Sequence, residues 1–330
     1  MAAHGNYILI TDVASYLGAQ IAELFLKEGF LVFGSGKHHP PQHIIGNKNF
    51  TFIEFDFTQP LPNHFPAFTK VFHLISENLA STTNLLSTPN LSAATVNIIS
   101  LAKEGKSEVY LLTSVRTAND LFEVIAKEEN TKKFLKLFLV GDLYGPNMPL
   151  SSSQENHTEN NISKQNKLTS LINQAITTDK IILEKEGQIV IYPSFIEDVI
   201  KGIVKLDFEN DRKNIRFLVS QDPKNSLSIA YEIQKLARII LEKELGLFFE
   251  GPEISPKPEP EVKIPDLGFS PEYNFENGLK KTLIYFSENG LVKNFEQKTE
   301  TFKVKEKTQI ETNINQRKED LELQSKSNQK

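Results

Sequence analysis

The stretch 9-LITDVASYLGAQIAELF-25 decides the fold. An apolar run, Tyr7–Ile10, enters a short turn, and Ala14–Glu28 then repeats apolar residues at the spacing of an amphipathic helix, closed by Gly29. A strand, a tight turn and a helix are the layout in which backbone amides at a helix N-terminus cradle a phosphate. In the Gly-x-x-Gly-x-x-Gly form of that turn the first glycine permits the tight bend. The second lets the backbone approach a pyrophosphate, and the third allows close helix–strand packing. Here those places hold Asp12, Ser15 and Gly18. Gly18 preserves the packing. Asp12 puts a carboxylate where the helix offers unpaired amides and partial positive charge, so it can cap the helix in the phosphate's seat. Ser15 brings a hydroxyl able to donate to phosphate and a Cβ that adds bulk. Two readings stand side by side: a weakened dinucleotide loop, and a capped helix with no ligand.

Working outward, short apolar runs alternate with helical periodicity. Strands are expected at Phe30–Phe33, Phe50–Phe55, Lys70–Ile75, Glu108–Thr113 and Lys136–Val140, with helices near Ser92–Lys103 and Leu121–Lys133. Such alternation predicts an α/β fold, a doubly wound parallel sheet with right-handed crossovers. Beyond Pro146 comes a polar stretch, 151-SSSQENHTENNISKQNK-167, then a helix over Leu168–Thr177. Ile181–Leu183 and Ile189–Tyr192 read as two strands meeting near Gly187. A helix over Glu197–Leu206, a strand at Ile215–Val219 and a long helix over Ser228–Leu245 follow. The proline-rich 252-PEISPKPEPEVKIP-265 precedes a last helix, Asn274–Ser287. The expected organisation is a nucleotide-binding unit of residues 1–146 with parts of 181–206, and a smaller α/β substrate unit of 147–290. The Lys/Glu/Gln/Asn/Thr-rich 291–330 is expected to be a disordered polar tail.

The bulk composition narrows the function classes. The 330 residues carry 39% hydrophobic and 24% charged side chains, a net charge of −5 and no cysteine. No basic stripe suits nucleic acid, and without cysteine there is no disulfide, thiolate nucleophile or Cys-based zinc site. No apolar run approaches the roughly 20 residues that cross a bilayer, and the N-terminus lacks a secretory pattern. A cytoplasmic location is the expectation. His38, His39 and His43 cluster without accompanying carboxylate spacing, so no metal site is expected; His73 reads as a core histidine within a strand, satisfied by backbone.

In order, 8-ILITDVASYLGAQIAELFLKEGFLVFG-34, 54-EFDFT-58, 70-KVFHLIS-76, 109-VYLLTSV-115, 142-DLYGPNM-148, 195-FIEDVIKGIVKL-206 and 267-LGFSPEYNFENGLKKTLIYF-286 resemble the extended short-chain dehydrogenase/reductase family, the nucleotide-sugar epimerases and dehydratases. The likeness covers about residues 5–288. It implies a Rossmann-type fold and a dinucleotide held by Thr11, Asp12, Ser15, Tyr16, Leu17 and Gly18. Gly36 and Lys37 would stand beside the adenosine ribose, Asp56 and Phe57 beside adenine, and Leu74 and Ile75 at the end of the strand expected at Lys70–Ile75. Eighteen residues after Gly18 the chain has Gly36, not a carboxylate for ribose hydroxyls, and Lys37 follows; this favours NADP over NAD. The resemblance also implies a nucleotide or nucleotide-sugar partner, and a homodimer through the helices near 92–103 and 121–133.

The catalytic set is incomplete. Family members use a Tyr-x-x-x-Lys pair as base, assisted by Ser or Thr. Ser114 stands at the assisting hydroxyl's place, with Thr113 as a substitute, yet 115-VRTANDLFEVIAKEENTKKFLK-136 contains no tyrosine. Tyr231 and Lys235 have the right spacing on a later helix and read as packing and solvent face. The arginine that would grip a substrate diphosphate is replaced by Ile191; Lys263 is a weaker match. No Gly-x-Ser-x-Gly elbow and no Walker-type loop occurs. The expectation is a divergent, catalytically impaired member acting as a nucleotide-binding sensor or scaffold. The alternatives are an active NAD(P)-dependent oxidoreductase or epimerase with an atypical base, and a protein-interaction role.

Overall fold

Strand propensity and apolar patterning place thirteen strands among the described residues: β1 (Tyr7–Thr11), β2 (Leu31–Ser35), β3 (Phe50–Ile53), β4 (Lys70–Leu74), β5 (Glu108–Ser114), β6 (Leu135–Val140), β7 (Asp142–Tyr144), β8 (Lys180–Glu184), β9 (Val190–Ile191), β10 (Pro193–Phe195), β11 (Ile215–Leu218), β12 (Lys224–Asn225) and β13 (Gly246–Glu250). The helices are α1 (Tyr16–Lys27), α2 (Gln42–Ile45), α3 (Pro89–Gly105), α4 (Lys167–Thr177), α5 (Ile196–Phe208), α6 (Ser226–Ile240) and α7 (Phe275–Glu288). This computed structural model describes residues 7–36, 38–62, 66–75, 89–117, 134–150, 166–184, 187–208, 215–220, 222–250 and 269–292. The helix expected at 121–133, Lys37, Lys263 and the tail from 293 lie outside them.

Seven strands form one parallel sheet in the order β11-β6-β5-β4-β1-β2-β3. The expected doubly wound α/β architecture is present. The period-two alternation of each strand sorts its side chains onto two buried faces. Ile8, Ile10, Phe72, Tyr110, Leu112 and Phe138 pack with α1 and with Val199 and Ile203 of α5. Leu9, Val71, Val109, Leu111, Leu137 and Leu139 pack on the opposite face with Ile98, Ile99 and Ala102 of α3. On the first face the rings of Phe72, Tyr110 and Phe138 stack across β4, β5 and β6, at 4.6 Å and 5.8 Å between centroids. Strand order reverses between β1 and β4, which opens a crevice at their carboxyl ends where α/β sheets bind ligands.

A third apolar cluster joins β8, α4, α6 and α7 through Ile172, Ile176, Ile181, Ile233, Leu279 and Leu283. Here the structure departs from two expectations. The strands at 181–183 and 189–192 do not pair with each other. β8 pairs in parallel with β13, while β9 pairs antiparallel with β12. The helix expected over 228–245 ends at Ile240, because the chain turns through Glu242 at φ +52 and re-enters extended backbone as β13. Lys243, buried at that turn, donates to the carbonyls of Ala175, Ile176 and Thr178, satisfying acceptors at the end of α4.

One carboxylate ties the closing segment to the sheet. Asp198, buried in the first turn of α5, accepts the amides of Glu272 and Tyr273 at 3.0 Å and 3.2 Å. Burial pushes its pKa up, and those two amides oppose the shift.

Candidate functional site

The carboxyl ends of β1, β2, β4 and β5 converge on the switch point, bringing Thr11, Ser35, Leu74 and Ser114 to one edge. Asp12 takes the left-handed conformation, φ +51, that the tight bend requires. Aspartate is among the few non-glycine residues that visit this region readily. The amide of Ser15 donates to the Asp12 carbonyl at 2.9 Å, and the amide of Val13 to the Ser35 carbonyl at 3.0 Å. The backbone of the phosphate turn is therefore built although its first two glycines are gone.

Ser15, not Asp12, caps α1. Its Oγ accepts the Gly18 amide at 3.1 Å and donates to the Asp12 carbonyl at 2.7 Å. This corrects the reading in which Asp12 takes the cap: its carboxylate makes no hydrogen bond among the described residues. Burial pushes the Asp12 pKa up, with His38 acting in the opposite sense. The amides of Tyr16 and Leu17 find no acceptor among the described residues, so two donors and the positive end of α1 face the crevice. Gly18 is needed where it stands, since a Cβ there would lie 2.5 Å from the Asp12 carbonyl oxygen.

The edge beyond β2 is built as follows. A Cβ on Gly36 would meet Asp12 Cα at an ordinary 3.4 Å. His43 bonds Glu23 at 2.7 Å and His39 packs on Phe52, so neither forms a metal site with its neighbours. Among the described residues no group of His, Asp and Glu could hold a metal ion. Asp56 is exposed and its carboxylate accepts the Thr58 amide at 2.9 Å, while Phe57 is buried. Asn97 of α3 donates to the carbonyls of Phe57 and Gln59, fixing that loop beside the crevice. Leu74 and Ile75 are buried, and the Ile75 amide donates to Leu112.

Thr11 serves the scaffold. Its Oγ1 lies 2.9 Å from His73 Nδ1 and accepts the Leu74 amide at 3.0 Å, and Thr95 Oγ1 reaches the other ring nitrogen. Burial pushes the His73 pKa down to about 4. His73 lies in the core as expected, but its ring is met by the Thr11 and Thr95 hydroxyls and not by backbone.

Ser114 is buried at the end of β5, with its Oγ accepting the Arg116 amide at 3.3 Å. Arg116 was not singled out in the sequence. Its guanidinium pairs with Asp142 at 2.9 Å, donates to the Val190 carbonyl at 2.6 Å and lies over the Tyr192 ring. The buried Asp142 also accepts the Tyr192 amide at 2.8 Å. This network joins β5 to β7 and β9 at the place where the missing arginine was expected; Ile191 itself is fully buried. Tyr231, expected to pack, is instead exposed, while Lys235 pairs with Glu276 at 3.1 Å on the expected solvent face.

A doubly wound parallel sheet whose strand order reverses between β1 and β4 defines a Rossmann-type α/β fold. Its turn fits a dinucleotide pyrophosphate by backbone geometry, free amides and the close approach at Gly18; the Asp12 side chain alone works against the fit. No protein-family model matches the chain. Its structural neighbours are nucleotide-sugar epimerases and dehydratases of the extended short-chain dehydrogenase/reductase type. An epimerase from Methanothermobacter thermautotrophicus superposes with TM-score 0.67 at 15% identity, covering 88% of this chain and 94% of that one. The UDP-glucose 4-epimerase of Thermotoga maritima, solved with UDP-glucose, gives 0.66 at 12%, covering 86% and 99%. The UDP-glucuronic acid 4-epimerase of Bacillus cereus, solved with UDP-glucuronic acid and NAD, gives 0.63 at 16%, covering 86% and 99%. In sequence the chain is 23% identical to UDP-glucuronic acid decarboxylase 1 of Xenopus tropicalis, over 84% of this chain and 72% of that protein.

Proposed function

We propose that this chain is a nucleotide-binding protein on the epimerase/dehydratase scaffold. It takes a dinucleotide at α1 and a nucleotide sugar of the UDP-glucuronic acid kind in the 147–290 unit. The observation that carries the reading is the phosphate turn: Asp12 in the left-handed conformation, Ser15 as cap, and the amides of Tyr16 and Leu17 open to the crevice. NAD is favoured as the dinucleotide, since solved neighbours are described in complex with NAD. The NADP preference drawn from Lys37 has no counterpart among them.

With no tyrosine between Ser114 and Leu137, the phenolate base of the family has no source in its usual place. The proposed role is accordingly ligand binding with impaired hydride chemistry. Calorimetric titration with NAD+ and NADP+, followed by an assay for NADH formation with UDP-glucuronic acid, tests both parts. Saturable NAD+ binding without turnover supports the reading. Turnover lost in Ser114→Ala favours instead an oxidoreductase with an atypical base, a reading that the retained serine keeps specific.

A further inference from the structure

Tyr16 is packed against both the sheet cluster and the second-unit cluster. Its amide belongs to the open first turn of α1, while its hydroxyl donates to the Pro146 carbonyl at 2.6 Å, across 130 residues. Burial and the nearby Glu197, Tyr285 and Glu23 raise its pKa, so the hydroxyl remains a donor throughout the working pH range.

The turn it reaches is unusual backbone. Gly145 sits at φ +148 and Asn147 at φ +61. A Cβ on Gly145 would lie 2.5 Å from Ile196 and 3.0 Å from the Tyr16 hydroxyl, so the approach admits only glycine. The same strap is gripped from the second unit: Tyr285 donates to Asn147, and Asn166 and Thr169 of α4 both donate to the Leu143 carbonyl at 3.0 Å. A segment with two positive-φ residues is thus held from opposite sides by directional bonds.

We propose that the Tyr16 hydroxyl is a positioning group through which occupancy of the dinucleotide loop sets the 145–148 turn, and with it the entry to the second unit. The inference rests on the dinucleotide reading above. An anion settling on the Tyr16 and Leu17 amides fixes the first turn of α1, and the ring carries that fixation to Pro146. A ligand of the second unit then meets a turn already ordered by the first, which is positive coupling.

Hydrogen–deuterium exchange on the full chain, with and without NAD+, tests this beside calorimetry. In the wild type NAD+ slows exchange of the 143–148 amides about two- to tenfold, the range one net hydrogen bond supplies. Tyr16→Phe keeps the ring and the backbone amide, and at NAD+ concentrations that saturate the variant it loses the NAD+-linked slowing. Tyr285→Phe, which releases the turn from the other side, retains it. NAD+ binding with no slowing in the wild type overturns the coupling alone, as does equal slowing in Tyr16→Phe or loss of slowing in Tyr285→Phe. Absence of NAD+ binding overturns the dinucleotide reading and the coupling with it.

Discussion

The Oγ of Ser15 lies 3.1 Å from the amide nitrogen of Gly18, and this bond gives α1 its N-terminal cap. Removing an N-cap hydroxyl costs about 1 kcal/mol. Ser15→Ala is expected to lower the melting temperature by about 2–4 °C, the shift such a loss produces in a chain of this class. Differential scanning calorimetry reads it directly.

Asp12 makes a second prediction, one with a sign. Its folded pKa lies above the ordinary value of 3.8, so its share of stability is present below that value and lost as pH rises through the folded pKa. Once ionised, the carboxylate also repels a pyrophosphate at the adjoining amides. NAD+ affinity is therefore expected to fall as pH rises through that raised pKa, and Asp12→Asn is expected to flatten that dependence. At pH 7 Asp12→Gly is expected to bind NAD+ several-fold to about tenfold more tightly, since one removed charge contact at an effective dielectric near 20 reaches a few kcal/mol at most. Affinities measured across pH for the three proteins decide this.

The Arg116–Asp142 pair offers a third. Stripping the guanidinium from a buried carboxylate costs about 3–5 kcal/mol, and among the described residues Asp142 keeps the Tyr192 amide to soften the loss. Arg116→Met is expected to destabilise by roughly 3 kcal/mol, at the low end because the arginine is partly exposed. Arg116→Met with Asp142→Leu is expected to recover much of it. Urea unfolding of both variants measures the coupling.

His73 sets an acid limit. With its folded pKa near 4 against an ordinary 6.5, its contribution is complete above 6.5 and lost as pH falls toward 4. The ceiling on that loss is about 3 kcal/mol, from 1.36 kcal/mol per unit. His73→Gln is expected to show a shallower fall in unfolding free energy between pH 7 and pH 4.

These residues also show what the sequence discloses. The parallel sheet was legible because strand and helix periods alternate over 7–140 and each period buries a definite face. The cap at Ser15 was obscured because comparison with a glycine pattern draws attention to the missing glycines, whereas the cap depends on a turn only three residues long. The pairing of β8 with β13 leaves no local trace, since the partner arrives some sixty residues later, directly after what reads as the end of a helix. Arg116 was hidden for the same reason. Its partners Asp142, Val190 and Tyr192 are brought to it by the fold and not by spacing along the chain.

On the proposed reading the altered turn at Asp12–Gly18 still holds a dinucleotide. Calorimetric titration of the full chain with NAD+, in parallel with Gly18→Ala, tests it most directly. The account predicts saturable one-to-one binding tighter than about 1 mM, the upper range of usual Michaelis constants. It predicts loss of that binding in Gly18→Ala, whose Cβ would press within 2.5 Å of the Asp12 carbonyl. No heat of binding from the folded wild type, or equal binding by both proteins, would contradict it.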